Sequence, residues 1–413
     1  MNGSRLFPRF IQARLSEALA DNPVVLIHGP RQCGKTTLAL TMDAADRYAY
    51  VSFDDDVKRE AARLDPIGFV KDLPERVVLD EIQRVPDLFT SIKLAVDRRR
   101  QPGRFVLTGS SNVLLVPKLA DSLAGRMAIL RLHPLAQAEL AGHRPGFLDK
   151  LFQRRFKARA VDRLGSELAQ RIADGGFPAA LARATPRRRS AWYRDYADTL
   201  AQKDMRDLAR IQGLDTIPRL LSLAAAQSAR LFNVSDLAAP FQLSRPTVRD
   251  YMILLERLFV VTRLPAWHGN RLTRLVKTPK LHLGDTGLAC AVLGLDADAL
   301  WTDRALLGQL VETFVCQELV RQASWSDDPV TFGHYRDRDG AEVDLVLETG
   351  SRLAGVEVKT GATVRPDDFR GLRKLKAAAG EKFASGVVLY DGETTASFGD
   401  DMIAVPIRNL WET

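Results

Sequence analysis

Short apolar runs and longer amphipathic stretches alternate along the first third of the chain. Runs such as Val24–Ile27 and Val77–Leu79 are apolar at every position, which is typical of parallel strands buried on both faces. The stretches between the runs have the spacing of helices with one apolar face. From about Arg9 to Leu132 this alternation predicts an α/β domain with a doubly wound parallel sheet.

The middle of the chain is predicted to be helical. From Pro134 to about Gly213 the pattern is also strongly basic, and we interpret this segment as a helical lid or connector with a solvated charged face. Two short helices are then predicted, because Ser235 and Ser244 are suited to cap helices and Pro246 lies in a first turn. This pair resembles the two helices of a winged helix-turn-helix.

An apolar segment at Val260 and a basic stretch from Arg263 to Lys280 would form the wing of such a module. On its second helix, the residues that would face a major groove are Ser244, Arg245, Thr247 and Arg249. Two interpretations stay open here: the module binds DNA, or it serves only for packing or protein contacts.

The last third of the chain predicts the order helix, strand, strand, strand, helix, strand. These elements are predicted over Leu306–Gln322, Val330–Tyr335, Glu342–Leu347, Gly355–Lys359, Asp367–Ala378 and Gly386–Tyr390. We therefore expect four parts along the chain, 1–135, 136–212, 213–300 and 301–413.

Composition narrows the class of protein. A length of 413 residues with 46% hydrophobic and 27% charged residues is typical of a globular protein with a large core. No apolar run approaches the roughly 18 residues that span a bilayer, and the N-terminus lacks the apolar core of an export signal. We therefore expect a cytoplasmic protein without a membrane partner. The net charge of +8 permits an anionic partner without proving one.

The three cysteines, Cys33, Cys290 and Cys316, are widely separated. Their number and spacing imply neither a disulfide framework nor a zinc site.

The most specific motif follows the first apolar run. It has the form Gly-x-x-x-x-Gly-Lys-Thr and comprises Gly29, Pro30, Arg31, Gln32, Cys33, Gly34, Lys35, Thr36 and Thr37. The glycines let backbone N–H groups approach phosphates, and the following helix directs its positive dipole end at the same anion. Lys35 can reach the outer phosphates, and the Thr36 hydroxyl can ligate Mg²⁺. The motif predicts binding of ATP with Mg²⁺.

A second apolar run ends in two acids, Asp80 and Glu81. Ligands in open α/β sheets bind at the carboxyl ends of the strands, which is where this pair would lie. Asp80 is suited to hold Mg²⁺ and Glu81 to polarise the water that attacks the γ-phosphate. The alternative is a strand end with solvated acids.

A third run ends in Gly109-Ser110-Ser111-Asn112. Ser110 could sense the γ-phosphate, or the segment could be an ordinary serine-rich turn.

The C-terminal elements carry a second set of charged residues. Glu357 and Lys359 lie two apart on one predicted strand, so both side chains face the same way. Asp344 lies on the neighbouring strand, and Glu312 could approach from the first helix. Carboxylates that hold Mg²⁺ beside a lysine suit phosphodiester cleavage, and with the order of elements they resemble the PD-(D/E)xK nuclease fold. Degenerate copies of such folds serve as docking modules, so cleavage stays open.

Taken together, the chain resembles a prokaryotic family of AAA-type P-loop ATPases with a C-terminal domain of unknown function. The residues that carry this resemblance are the motif 29–37, Leu79–Gln83, Thr108–Ser111, Leu123–Arg126, Gly175–Pro178, Gly284–Leu288 and Val356–Lys359. The resemblance implies an ATPase domain, a helical connector, a winged helix and a nuclease-like terminus. It also suggests a homo-oligomer in which Arg126 acts as an arginine finger toward a neighbouring subunit; the alternative is an ordinary arginine that begins a strand.

Two functions therefore compete. The first is an ATPase switch or motor coupled to a nucleic-acid-directed C-terminal half, with or without nuclease activity. The second is an ATP-gated regulator that does not cut and that binds DNA or a protein client through the winged helix. A small-molecule kinase ranks last, because the pair Asp80-Glu81 favours water as the phosphoryl acceptor.

Overall fold

The computed structural model describes residues 6–42, 47–111, 123–158, 160–204, 216–238, 244–270, 274 and 277–412. Asn112, at the end of the predicted γ-phosphate-sensing segment, and part of the stretch 263–280 lie outside these residues. The contacts divide the chain into two units. One comprises Pro8–Leu135 with Leu255–Val260, and the other comprises most of the remaining chain.

The first unit is built on a parallel sheet of five strands. The strands are β1 (Val24–His28), β2 (Ala49–Ser52), β3 (Val77–Asp80), β4 (Phe105–Gly109) and β5 (Met127–Arg131). Their order is β2-β3-β4-β1-β5, and every pair is parallel. The order reverses at β1, so the crevice beyond its carboxyl end is a topological switch point, where ligands bind in such sheets. The predicted α/β fold is confirmed.

Helices cover this sheet. They are α1 (Gln12–Asp21), α2 (Lys35–Thr41), α3 (Asp56–Leu64), α4 (Pro66–Asp72) and α5 (Leu88–Arg98), with a 3-10 turn at Ile82–Arg84. The strands β1, β3 and β4 are buried at every position, which explains their continuous apolar sequence. One core cluster joins Leu79 and Leu107 to Ile92 of α5 and Val70 of α4.

The second unit begins with helices. They are α6 (Gln137–Ala141), α7 (Phe147–Gln153), α8 (Ser166–Asp174), α9 (Pro178–Leu181) and α10 (Pro186–Thr199), and a π-helical turn follows at Leu200–Asp204. Thr185 begins α10 with a side-chain cap on the Arg188 N–H, and Pro186 lies at the first position.

A small mixed segment follows. Its elements are α11 (Thr216–Ala226), β6 (Arg230–Leu231), α12 (Val234–Ala238), α13 (Arg245–Arg257), β7 (Val261–Leu264) and β8 (Lys280–Leu283). The three strands form an antiparallel sheet in the order β6-β8-β7. The Ser244 hydroxyl accepts a hydrogen bond from the Thr247 N–H at 3.2 Å, as expected for the cap of α13.

The chain ends in a larger sheet. Before it come α14 (Thr286–Leu293), α15 (Ala297–Thr302) and α16 (Arg304–Ser324), and the sheet itself contains β9 (Thr331–Arg336), β10 (Glu342–Thr349), β11 (Arg352–Lys359), β12 (Phe383–Tyr390), β13 (Ala396–Ser397) and β14 (Met402–Pro406). The remaining helices are α17 (Arg370–Ala379) and α18 (Asn409–Glu412), with 3-10 turns at Pro366–Phe369 and Gly380–Lys382.

The sheet order is β13-β14-β12-β11-β10-β9. Strands β9, β10 and β11 form an antiparallel meander, and β12 pairs with β11 in parallel after the crossover through α17. The expected order helix, strand, strand, strand, helix, strand is therefore present. Within the described residues, no helix is both long and apolar enough to cross a bilayer.

Candidate nucleotide site and C-terminal carboxylate cluster

The loop between β1 and α2 requires glycine for steric reasons. A Cβ on Gly29 would lie 2.0 Å from the carbonyl oxygen of Leu132, and Gly34 has a φ of +100° at the start of α2. Lys35 is 4% exposed, and its ammonium donates to the carbonyl oxygens of Gly29 at 3.1 Å and Pro30 at 2.9 Å. The loop thus holds the Lys35 charge in place through its own backbone.

The rest of the motif lies on the same loop and on the first turn of α2. Gln32 and Thr37 are exposed, whereas Cys33 is buried and its thiol lies 3.5 Å from the carbonyl oxygen of Leu132. Burial raises the pKa of Cys33. Arg9, which sequence reasoning missed, donates to the Cys33 carbonyl oxygen at 2.9 Å and so fixes the loop from outside the motif.

Asp80 is the centre of a set of hydroxyl groups. It lies at the buried carboxyl end of β3, and its Oδ1 accepts a hydrogen bond from the Thr36 hydroxyl at 3.0 Å. The Thr108 hydroxyl also donates to Oδ1, and the Tyr50 hydroxyl donates to Oδ2 at 2.7 Å. The structure therefore brings together Thr36 and Asp80, as predicted, and adds Thr108 and Tyr50.

Glu81 lies beside Asp80 in a left-handed backbone conformation, with a φ of 57°. Its Oε2 accepts hydrogen bonds from the Ser110 hydroxyl at 2.8 Å and from the Gln83 amide, and Gln83 also donates to Ser110 at 2.9 Å. Ser110 thus contacts the carboxylate that was expected to orient water. Gln83 lies in the segment 79–83 that carries the family resemblance, but no role was predicted for it.

His28 ends β1 immediately before the loop. Burial, followed by the charges of Arg131 and Lys35, lowers the pKa of His28 to about 4. The imidazole is therefore neutral at physiological pH, and it packs edge-on against Phe259 with ring centroids 5.3 Å apart.

Arg126 lies apart from these residues within its own chain. It precedes β5, and Met127 of that strand pairs with Val24 at the start of β1, so Arg126 lies at the edge of the sheet opposite the loop. Its Nε forms an ion pair with Asp97 at 2.5 Å. A role for Arg126 in its own nucleotide site is thus excluded by the strand direction, and a role toward a neighbouring subunit stays a prediction.

The four predicted C-terminal residues lie close together. Leu345 pairs with Val356 across β10 and β11, which places Asp344 beside Glu357. The Lys359 ammonium donates to Glu357 Oε1 at 2.8 Å, so their predicted common face is present. Glu312, on α16, faces the same cluster.

Two further residues complete this group, which we call the carboxylate cluster (Lys280, Glu312, Glu342, Asp344, Glu357 and Lys359). Lys280 is 2% exposed at the start of β8, and its Nζ lies 2.6 Å from Glu342, 2.8 Å from Glu312 and 3.2 Å from Asp344. Sequence reasoning missed Lys280, because a single lysine before an apolar run is ordinarily a solvated strand end.

Burial dominates the electrostatics of the cluster. Burial, followed by the charge of Asp344, raises the pKa of Glu312 and brings that of Glu357 to about 8. Burial opposes the charged form of Lys280, but Asp344, Glu312 and Glu342 together raise its pKa above the ordinary value. Within the described part of the chain, no three His, Cys, Asp or Glu side chains are arranged to hold a metal ion.

The parallel sheet, the loop before α2 and the acids at the end of β3 define a P-loop ATPase domain of the AAA type. Residues 21–141 match the family model of an AAA domain. Residues 165–299 and 307–410 match two models described as domains of unknown function, DUF8612 and DUF4143.

Relatives extend the match over almost the whole chain. The uncharacterized protein Rv2008c of Mycobacterium tuberculosis and the uncharacterized protein Mb2031c of Mycobacterium bovis are each 30% identical over 402 residues, which are 97% of this chain and 84% of the relative. This chain belongs to the same family of AAA-domain proteins as these mycobacterial relatives.

Among solved structures, the Walker-type ATPase PABY2304 of Pyrococcus abyssi is similar with a TM-score of 0.43 and 16% identity, over 70% of this chain and 96% of that one. The RuvB Holliday junction branch migration motor of Thermotoga maritima is similar with a TM-score of 0.28 and 19% identity, over 62% of this chain and 89% of that one. Similarity at this level does not indicate what this chain acts on.

ATP and Mg²⁺, which an AAA domain implies, fit the residues around the loop. The buried Lys35 ammonium on the loop is a cation suited to phosphate, and the Thr36 hydroxyl and Asp80 carboxylate, 3.0 Å apart, are the oxygen donors that Mg²⁺ prefers. Mg²⁺ does not fit the carboxylate cluster in this way, because the Lys280 ammonium already contacts three of the carboxylates.

Proposed function

We propose that this chain is a Mg²⁺-dependent ATPase whose nucleotide state controls DNA binding by its C-terminal half. The observation that carries the ATPase part is the convergence of Lys35, Thr36, Asp80 and Glu81 at the carboxyl edge of one parallel sheet. Each of these groups has a role that phosphoryl transfer to water requires.

In this proposal Lys35 exchanges the loop carbonyls for phosphate oxygens when ATP binds. Thr36 and Asp80 would hold Mg²⁺, which supplies charge neutralisation to the phosphates. Glu81 orients the attacking water and accepts its proton. Because Ser110 and Gln83 both donate to Glu81, they set the direction in which its carboxylate points before water is bound.

The DNA-binding part is supported by the segment from α11 to β8. Its order is helix, strand, helix, helix, strand, strand, and the sheet order is β6-β8-β7, as expected for a winged helix-turn-helix. Arg245 and Arg249 are exposed and four residues apart on α13, so they lie on one face of that helix. Two guanidinium groups so placed suit contacts with successive phosphates.

Cleavage by the carboxylate cluster is the second candidate. The order of elements from α16 to β12 favours a nuclease-like region, and Asp344, Glu357 and Lys359 lie side by side. However, both oxygens of Asp344 are engaged, one by Lys280 and one by the backbone N–H of Val358 at 2.9 Å. We therefore favour a regulator that binds without cutting.

The first test is ATP turnover by the wild type and by Glu81→Gln, with and without duplex and single-stranded DNA. We expect the variant to bind ATP but to turn over at least about 100-fold more slowly, because it loses the base that orients water. Wild-type turnover that rises with DNA supports the proposal. Unchanged turnover in Glu81→Gln would contradict the role of Glu81, and indifference to DNA would favour a protein client.

The second test is a salt series of DNA binding by the wild type and by the double variant Arg245→Ala, Arg249→Ala. Affinity falls as salt rises, and loss of two phosphate contacts should make this fall shallower: the magnitude of the slope of log affinity against log salt decreases by about 2. Arg219→Ala, an exposed arginine on α11, is the matched control and should leave the slope unchanged. An equal change in the control would contradict the role of Arg245 and Arg249, and no DNA binding at low salt would remove DNA from the proposal and leave a protein partner.

A further inference from the structure

Lys280 brings a cation to the carboxylate cluster from outside the C-terminal sheet. It is the first residue of β8, which belongs to the small sheet β6-β8-β7, whereas its partners lie on α16 and β10. The position is buried, and its ammonium contacts carboxylates from both elements. The ion pairs of Lys280 thus link the small sheet to α16 and to β10 of the C-terminal sheet.

The geometry of the ammonium is that of a coordinated cation. The ammonium donates hydrogen bonds to Glu312 at 2.8 Å and to Asp344 at 3.2 Å, and it forms an ion pair with Glu342 at 2.6 Å. Breaking such a buried set by removing the cation leaves uncompensated charge, which is strongly unfavourable.

Two further carboxylate oxygens of the cluster already accept hydrogen bonds from donors other than Lys280. Asp344 Oδ2 accepts from the Val358 N–H, and Glu357 Oε1 accepts from the Lys359 ammonium at 2.8 Å. Glu357 Oε2 accepts no hydrogen bond from the described residues. A divalent ion at Asp344 would therefore share its carboxylate with the Lys280 ammonium and be repelled by it.

We propose that Lys280 is the resident cation of the carboxylate cluster, in the place assigned to Mg²⁺ from the sequence, and that a neutral residue at position 280 converts the cluster into a divalent-cation site. This inference concerns the second unit alone and does not depend on what the ATPase domain acts on.

The test uses Mn²⁺ as the probe and the full chain without nucleotide. All proteins carry Asp80→Asn, so that the N-terminal metal ligand is absent. Bound Mn²⁺ is counted by electron paramagnetic resonance, and thermal unfolding is followed with and without the ion. We compare the parent, Lys280→Met, and the matched control Lys277→Met, whose native ammonium contacts only the Arg336 carbonyl oxygen at 3.4 Å among the described residues.

We expect the parent and Lys277→Met to bind no Mn²⁺ at the cluster. Lys280→Met should instead bind one ion per chain, and its unfolding temperature should rise with Mn²⁺. Adding Asp344→Asn to Lys280→Met should abolish both effects, which assigns the ion to the cluster.

Two results would overturn the proposal. One is an ion bound by the parent that Glu357→Gln removes, because the cluster would then accept metal beside Lys280. This measurement needs only the parent and Glu357→Gln, so it tests whether Lys280 keeps the ion out of the cluster even if Lys280→Met does not fold. The other is a folded Lys280→Met that binds no Mn²⁺.

Discussion

At the scale of single residues, Tyr50 is the least expected contact of the nucleotide site. Its side chain extends from β2 to Asp80 Oδ2 and remains 39% exposed. Burial of the hydroxyl and its hydrogen bond to Asp80 raise the pKa of Tyr50 to about 12, so it stays a donor at any physiological pH. Tyr50 thus orients the carboxylate that would hold Mg²⁺, without being a ligand itself.

We predict that Tyr50→Phe weakens the apparent Mg²⁺ affinity for ATP turnover by about tenfold, since hydrogen bonds to charged groups contribute about 1.5 kcal/mol or more. Turnover at saturating Mg²⁺ should change little. Titration of the ATPase rate with Mg²⁺ measures both effects. Tyr48→Phe removes a hydroxyl that donates to Gly103, away from Asp80, and should behave like the wild type. An unchanged Mg²⁺ dependence in Tyr50→Phe would show that Asp80 is oriented without it.

At the scale of elements, two helices of the second unit differ in how closely they approach their neighbours. Gly371 lies in α17, and a Cβ there would be 1.9 Å from the Glu342 carbonyl oxygen of β10. Gly308 lies in α16, and a Cβ there meets no atom within 4 Å. The first glycine is required by packing, and the second only lowers helix propensity.

We predict opposite effects of the same substitution at these positions. Gly371→Ala should lower the free energy of unfolding by about 1–3 kcal/mol, because α17 must move away from β10. Gly308→Ala should raise it by up to about 1 kcal/mol. Denaturant unfolding followed by circular dichroism measures both. Stabilisation by Gly371→Ala would mean that the helix and strand are not held at this distance.

At the scale of the whole molecule, buried histidines couple stability to pH. Burial is the main cause that lowers the pKa of His28 and His334 to about 4 and that of His282 to about 3. Each must stay neutral in the folded state. Their stabilising contribution is complete above the unfolded pKa of about 6.5 and is lost as the pH falls toward the folded values. Glu318 changes stability with pH in the opposite direction. Burial raises its pKa to about 7, so its contribution to stability is lost as the pH rises through that value.

We predict that the wild type loses about 2 kcal/mol more stability than His282→Asn between pH 8 and pH 5. The asparagine can keep the hydrogen bond that His282 Nδ1 makes with Thr313 at 3.1 Å. Denaturant unfolding at the two pH values measures this difference. His268→Asn, at a partly exposed position, is the control and should show the wild-type dependence. If the wild type and His282→Asn lose equal stability between the two pH values, the pH dependence does not come from His282.

Several features of the fold could be predicted from local sequence. The continuous apolar runs correspond to β1, β3 and β4, because strands of a parallel sheet are buried on both faces. The predicted helix Leu306–Gln322 lies within α16, and the strand that carries Glu357 and Lys359 lies within β11. By contrast, the short strands β13 and β14 were not predicted, because their pairing depends on the rest of the sheet.

The sequence by itself determined the phosphate-binding loop and the acids of the nucleotide site. A phosphate is held by consecutive backbone N–H groups, so the necessary residues must be contiguous and are visible as a motif. Only the tertiary structure decided the contacts of Tyr50 with Asp80, of Gln83 with Ser110, and of Lys280 with its three carboxylates. These residues come from different strands and helices, and the register and packing of those elements, rather than any local pattern, set which charges and hydroxyls meet.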